Sequence, residues 1–310
     1  MHIPDGYLSP ATCATLTTAM VPVWAIAARK VERTVKTRYV PLVALGAAYS
    51  FLVMMLNVPI PDGTTAHAVG AVLIAIVLGP WAAAIAVSIA LLIQAVFFGD
   101  GGVLAFGANA FNMAFLMPFA GYGVYRLIAG RSPLTSGRRA LAAGIGGYVG
   151  INLAALAAAI EFGLQPMLFH AADGTPLYAP FHLSQTIPAM MLAHLTVAGF
   201  VEAALTFGIV TYLQRANLPL LRANEAAPVR VRRVWIGIGA LVALTPLGLL
   251  APGGAFGEDA PDAARLWRHT PLGGYGDGSA VEYVLSACAG LAAIGLVVAA
   301  IRLLRRGVPA

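Results

Sequence analysis

Nine runs of apolar residues, at roughly 11–28, 39–56, 67–80, 81–98, 109–128, 140–162, 185–213, 234–251 and 280–301, take up most of this chain. A helix rises about 1.5 Å per residue, so a run of about twenty crosses about 30 Å of hydrocarbon. A hydrophobic fraction of 59% with charged residues at 10% leaves too little charge to cover a soluble domain of this length. The pattern predicts an all-α polytopic membrane protein with about nine transmembrane helices. The third and fourth runs are the least regular, because Gly79-Pro80 joins a short segment to its neighbour. The first of that pair reads as tilted or re-entrant.

Arginine and lysine set the orientation, because cytoplasmic loops hold on to positive charge. If all nine runs cross, 17 of the 19 basic residues fall on one side, and only Arg265 and Arg268 fall on the other. The expectation is an N-terminus outside and a C-terminus in the cytoplasm, in a multi-pass protein of the plasma or inner cell membrane. The formal net charge of +6 is then a topology signal, with membrane lipid as the implied partner and no nucleic acid.

That orientation puts Met1-His2-Ile3-Pro4-Asp5-Gly6-Tyr7-Leu8-Ser9-Pro10 on the outer face. A free α-amino group on Met1, the amide nitrogen between Met1 and His2, and the His2 imidazole close two fused chelate rings around one metal ion. The peptide unit is planar, and a deprotonated amide suits the tetragonal sites of copper(II) and nickel(II). His2 is too large a second residue for methionine aminopeptidase to remove Met1. With no basic residue before Arg29, the opening does not read as a cleavable signal peptide. The competing reading is a frayed terminus whose second residue happens to be histidine.

Two other outer loops carry polar groups. The loop from Asn57 ends on His67, where a helix enters the membrane. The loop from Gly99 to Asn109 is glycine-rich and lacks lysine, so it is no phosphate-binding loop. Asn109 and Asn112 begin the next helix, where an amide either bonds a neighbouring segment or lines a site.

The opening decapeptide, His67 after Gly63-Thr64-Thr65-Ala66, and Gly107-Ala108-Asn109-Ala110-Phe111-Asn112-Met113 together resemble the NikM/CbiM family. This is the substrate-capture (S) component of energy-coupling-factor (ECF) transporters for nickel and cobalt. The resemblance covers roughly residues 1–215 and implies a seven-helix core. It also implies a square plane of four nitrogens: the Met1 amine, the backbone nitrogen and imidazole of His2, and the His67 imidazole. A transmembrane coupling (T) subunit and a pair of ATP-binding-cassette ATPases are the implied partners. In keeping with this, neither Lys30 nor Lys36 stands in a Gly-Lys-Ser/Thr sequence, so the chain is expected to be a transport component and not an enzyme. Residues 216–233 read as a basic cytoplasmic linker. Residues 234–310 resemble the two-helix accessory subunit NikN/CbiN, a likeness carried by Thr245-Pro246-Leu247-Gly248-Leu249-Leu250-Ala251-Pro252-Gly253. Such a fusion points to nickel(II) as cargo, with cobalt(II) as the alternative.

A plane of nitrogens selects nickel(II), copper(II) or cobalt(II) over magnesium and calcium, which want oxygen, and over zinc, which prefers a tetrahedron. Binding displaces protons, so affinity is expected to fall below about the histidine pKa of 6.5. Asp5, Asn109 and Asn112 are the candidates for orienting the imidazoles. His194 and Glu202, eight residues apart, share one broad face of the seventh run and read as a polar pair, either a clasp between helices or part of a release path. His170, His182 and His269 read as loop residues. Glu258, Asp259, Asp262 and Asp277 form an acidic outer loop that either concentrates cations or is simply solvated. Cys13 and Cys288 read as small buried residues. A secondary metal transporter or a channel is the rival class, but no internal repeat favours it.

Overall fold

The computed structural model describes residues 1–34, 40–59, 65–221, 232–246, 271–272 and 279–306. His269, the acidic loop and the linker arginines Arg222 and Arg230 lie outside the described residues.

Apart from one two-stranded hairpin, the described elements are helical. Helix α1 (Pro10–Thr34) starts at Ser9, whose Oγ accepts from the Thr12 amide at 3.0 Å, with Pro10 where a missing N–H costs nothing. Helix α2 (Val40–Met54) leads into strands β1 (Asn57–Pro59) and β2 (Thr65–His67), which pair antiparallel with Asn57 opposite His67. Helix α3 (Ala71–Leu78) is followed by α4 (Pro80–Ile93), α5 (Phe106–Asn109), α6 (Met117–Ala129), α7 (Gly137–Leu168), α8 (Leu183–Ala193), α9 (Gly199–Ala216), α10 (Leu218–Leu221), α11 (Arg232–Leu244) and α12 (Ala280–Arg306).

Three stretches widen into π-helical turns: Gln94–Phe98 after α4, Ala110–Leu116 between α5 and α6, and His194–Ala198 between α8 and α9. Each inserts a residue into the helical ladder and re-aims the side chains around it.

Five helical bodies are long and apolar enough to cross a membrane: Pro10–Val31, Pro80–Phe98, Gly137–Leu168, Leu183–Ala216 and Ala280–Ala300. The run at 67–80 yields only α3, whose 8 residues extend about 12 Å. Alone it is too short to cross. Gly70 in the left-handed region (φ 72°) precedes it and Gly79-Pro80 ends it, and all eight of its residues are buried. It is a short helix buried inside the protein.

Helix α7 is the central column, packed between α6 and α9. The α6–α7 crossing is close because its surface is glycine. A Cβ on Gly146 would lie 2.6 Å from the Gly121 carbonyl oxygen, and one on Gly150 2.9 Å from that of Met117. Small residues four apart let membrane helices approach in this way.

Helices α11 and α12 lie against α2. There, the Tyr283 hydroxyl donates to the Met55 carbonyl at 3.0 Å, two residues before β1. Cys13 is buried, but Cys288 is exposed, so the expectation of two buried cysteines holds only for the first. Cys288 sits on α12, which has only one packed side and turns Val281, Leu285 and Leu296 outward.

Candidate metal centre

The N-terminal tail is docked, not frayed. Ile3 and Leu8 are fully buried in an apolar cluster with Cys13, Ala105, Ala108 and Ala158, and burying each contributes on the order of 1.5–3 kcal/mol. Hydrogen bonds fix its path. Asn109 Oδ1 accepts from the Ile3 amide at 2.8 Å, and Asn109 Nδ2 donates to the Ile3 carbonyl at 3.0 Å. The Gly102 amide donates to the same carbonyl at 2.8 Å. Asp5 Oδ1 accepts from the amides of Leu104 (2.9 Å) and Ala105 (3.2 Å), donors that the start of α5 leaves without helical partners. Further along, the Ser9 amide donates to Gln165 Oε1 at 2.9 Å and the Ala179 amide to the Tyr7 carbonyl at 3.0 Å.

The loop from Gly99 to Ala105 lies directly on the tail. A Cβ on Gly102 would run into the Asp5 carboxylate and lie 2.5 Å from the Asp5 nitrogen, so only glycine lets the two segments touch.

The tail delivers His2 to His67. The β-hairpin holds His67 at 2% exposure, and its Nδ1 pairs with the Ala68 carbonyl at 3.1 Å. A carbonyl only accepts, so Nδ1 carries the proton and Nε2 keeps a lone pair. That Nε2 lies 3.1 Å from His2 Nδ1, which is also 3.1 Å from Asp100 Oδ1. The two rings stack, with centroids 4.7 Å apart. Gln94, from the first π-helical turn, faces His2 and favours its protonated form. A proton on His2 Nδ1 thus faces an imidazole lone pair on one side and a carboxylate on the other.

Burial keeps every one of these nitrogens neutral. It pulls the Met1 amine from 8.0 down to about 6, against the attraction of Asp100. Burial, helped by the charge of that amine, brings His2 to about 3. His67 is held well below the usual imidazole range by burial first, and then by His2, the amine and His194. Neutral amines and imidazoles are the ligand forms. Two nitrogens cis to one another on a first-row metal, each at about 2.0–2.1 Å, stand about 3 Å apart, so the His2–His67 spacing suits a shared cation. Among the described residues no three side chains of His, Cys, Asp or Glu group as a metal cluster. A centre here depends on main-chain nitrogen.

The three residues expected to orient imidazoles do something else. Asp5 and Asn109 anchor the tail's backbone, and Asn112 Nδ2 donates to Glu161 Oε2 at 2.9 Å, toward α7 and away from the histidines. A short amide or carboxylate beside a docked peptide meets the main chain before it reaches a ring. The groups that orient the rings are the Ala68 carbonyl, Asp100 and Gln94. The sequence offered one signal for them, an aspartate inside the glycine-rich loop.

His194 and Glu202 do not pair with each other. His194 Nδ1 bonds the Met190 carbonyl at 2.8 Å. Glu202 Oε2 accepts from the Val69 and Gly70 amides at 2.8 and 3.0 Å, so it caps α3 just after His67. The π-helical turn adds a residue between them, and α3 lies close enough to capture the carboxylate. Elsewhere, His170 and His182 sit on the exposed loop before α8.

The family described as cobalt uptake substrate-specific transmembrane region, CbiM, matches residues 2–220. A fused nickel transport protein NikMN from Rhodobacter capsulatus is 56% identical over 260 residues, covering 83% of this chain and 75% of its own. A probable fused nickel transport protein LarMN from Lactiplantibacillus plantarum is 51% identical over 268 residues, covering 84% and 78%. A solved structure of a transition metal transporter superposes with a TM-score of 0.67 at 57% identity, covering 73% of this chain and 99% of that one.

Proposed function

Because the chain belongs to the CbiM family of substrate-specific transmembrane components for metal uptake, we propose that it captures nickel(II) at the outer face of the cell membrane. The ligands are four nitrogens in a plane: the Met1 amine, the deprotonated amide and Nδ1 of His2, and Nε2 of His67. The observation that carries this reading is the buried 3.1 Å approach of His67 Nε2 to His2 Nδ1, at the end of a tail locked in place by Asn109. Metal replaces the proton between the two rings, and the planar chelate does the selecting. Cobalt(II) fits the same donors. Nickel is favoured because the relatives that share the fused length are nickel transport proteins.

The wider frame belongs to the same proposal. Nine crossings place the N-terminus outside and the C-terminus in the cytoplasm. Residues 1–215 form the capture domain, 216–233 the cytoplasmic linker and 234–310 the accessory two-helix segment. A coupling T subunit and a pair of ATP-binding-cassette ATPases then drive release inward. Energy conversion falls to those partners.

The test is calorimetry with nickel(II) and cobalt(II) on the purified chain, with its native terminus and with one residue added before Met1. An added residue turns the ligand amine into an amide and is expected to abolish tight binding. Equal binding by the extended chain would remove the tail from the site.

A further inference from the structure

A second imidazole is set up in the same way as His67 but has no role in the four-nitrogen plane. His194 is 1% exposed and lies on the π-helical turn His194–Ala198, which packs against β2, the strand that ends in His67. Its Nδ1–H donates to the Met190 carbonyl at 2.8 Å, so Nε2 carries the lone pair, and that Nε2 is buried without a hydrogen-bond partner. A buried polar atom without a partner is costly and calls for an explanation. Donation from one ring nitrogen to a carbonyl, with the other left open, is how protein imidazoles are prepared for metal. His194 also lies close enough to the Met1 amine and to His67 for their charges to interact through the interior.

Tyr49 Oη and Asn152 Oδ1 nearby are also buried without a partner, but neither offers a nitrogen lone pair. Glu202 is held by the Val69 and Gly70 amides, His67 Nδ1 by Ala68 and Asn109 by Ile3. π-Helical turns concentrate at functional positions because they open the ladder and re-aim a side chain, and this one places a nitrogen donor beside the strand that carries His67.

We propose that His194 Nε2 is a transit ligand: the next nitrogen to take the cation as it leaves the plane formed by Met1, His2 and His67 on its way inward. This rests on the capture reading above. In the step, the metal–nitrogen bond to His67 Nε2 breaks and one to His194 Nε2 forms. The Met1 amine, the His2 amide and His2 Nδ1 stay bound through this exchange, and no proton or electron is transferred.

The test compares His194→Asn, which keeps a donor near the Nδ1 position and removes Nε2, with His194→Phe, which fills the space without a ligand, and with His194→Cys, which restores one. Nickel(II) binding to each full-length purified chain is read by calorimetry and by the visible absorption of the bound metal. Uptake is read in cells carrying the complete transporter. The expected result is resting affinity within about threefold of the parent and unchanged absorption for all three. Uptake should fall at least about tenfold in His194→Asn and His194→Phe and recover in part in His194→Cys. Unchanged uptake in His194→Asn would overturn the proposal, as would altered affinity and absorption, which would place His194 in the capture plane itself. Failure of the capture reading shows separately, as tight binding that survives an added residue before Met1.

Discussion

Asn109 holds both main-chain polar groups of Ile3, accepting from its amide at 2.8 Å and donating to its carbonyl at 3.0 Å. Ile3 is the residue after His2, so this two-bond clamp fixes the path of the peptide proposed to chelate the metal. Asn109→Asp keeps the acceptor and loses the donor, and Asn109→Ala loses both. Nickel(II) affinity is expected to fall about 10-fold in the first and about 100-fold in the second, the range seen when a group that orients metal ligands is removed. Calorimetry measures this, and retained helical circular dichroism distinguishes a loosened tail from an unfolded protein.

The protonation states predict an unusual pH profile. His2 is neutral down to about pH 3 and the Met1 amine down to about pH 6, so the sequence expectation of a step at the histidine pKa is replaced by a step set by the amine. The sign follows from which form binds: metal needs the free amine, and protonating the amine as pH falls through about 6 adds a competing proton. Above that pH only the amide proton is displaced, and affinity changes about tenfold per pH unit. Below it a second proton joins, and the change becomes about a hundredfold per unit. Nickel(II) titrations at half-unit intervals from pH 5 to 8 should show the break. A break near 8 would mean that the amine is solvated.

Gly102 offers a steric test of the loop that covers the tail. Any side chain here collides with Asp5 and pushes the tail away from its partners at Leu104 and Ala105. Gly102→Val is expected to lower nickel(II) affinity about 100-fold or more, whereas Gly123→Val, on the exposed face of α6 with open space around it, should leave binding unchanged. The magnitude follows the sensitivity of metal sites to ligand placement, and parallel titration of the two variants checks it.

The proposed ligands could be named from the sequence because they depend on residue type at a fixed place. A histidine next to a free N-terminal amine has the donors for a chelate whatever surrounds it, and His67 closes a loop between two apolar runs. The class of fold was legible for the same reason, since apolar runs report their own burial. What lay beyond reach was geometry that no period encodes. The π-helical turns at Gln94, Ala110 and His194 do not change the hydropathy pattern, yet they decide that Gln94 meets His2 and that Asn112 turns to Glu161 instead of to a histidine. Glu202 was recognised as a clasp, but its partner is a pair of backbone amides just before α3. Backbone donors have no identity in a sequence.

Glu202 ties α9 to the strand that carries His67. Its carboxylate satisfies the Val69 and Gly70 amides just after His67, so the helix and the strand bearing a proposed metal ligand are joined through one side chain. Removing it leaves two buried N–H groups unpaired, at about 1–3 kcal/mol each. Glu202→Ala should therefore lower the thermal midpoint of the purified chain and weaken nickel(II) binding as β2 loosens. Glu202→Gln still offers one carbonyl oxygen that can accept from both amides, and its NH2 can face Thr206, whose hydroxyl now lies 3.5 Å from Oε1. If the residue acts only as a clasp, Glu202→Gln keeps affinity within about threefold and uptake near that of the parent, since a neutral acceptor loses only about 1 kcal/mol relative to a charged one. If its negative charge steers the departing cation, binding survives but uptake falls. Measuring melting, binding and uptake on both variants separates the clasp from the charge, because only the first two depend on where the Val69 and Gly70 amides find their acceptor.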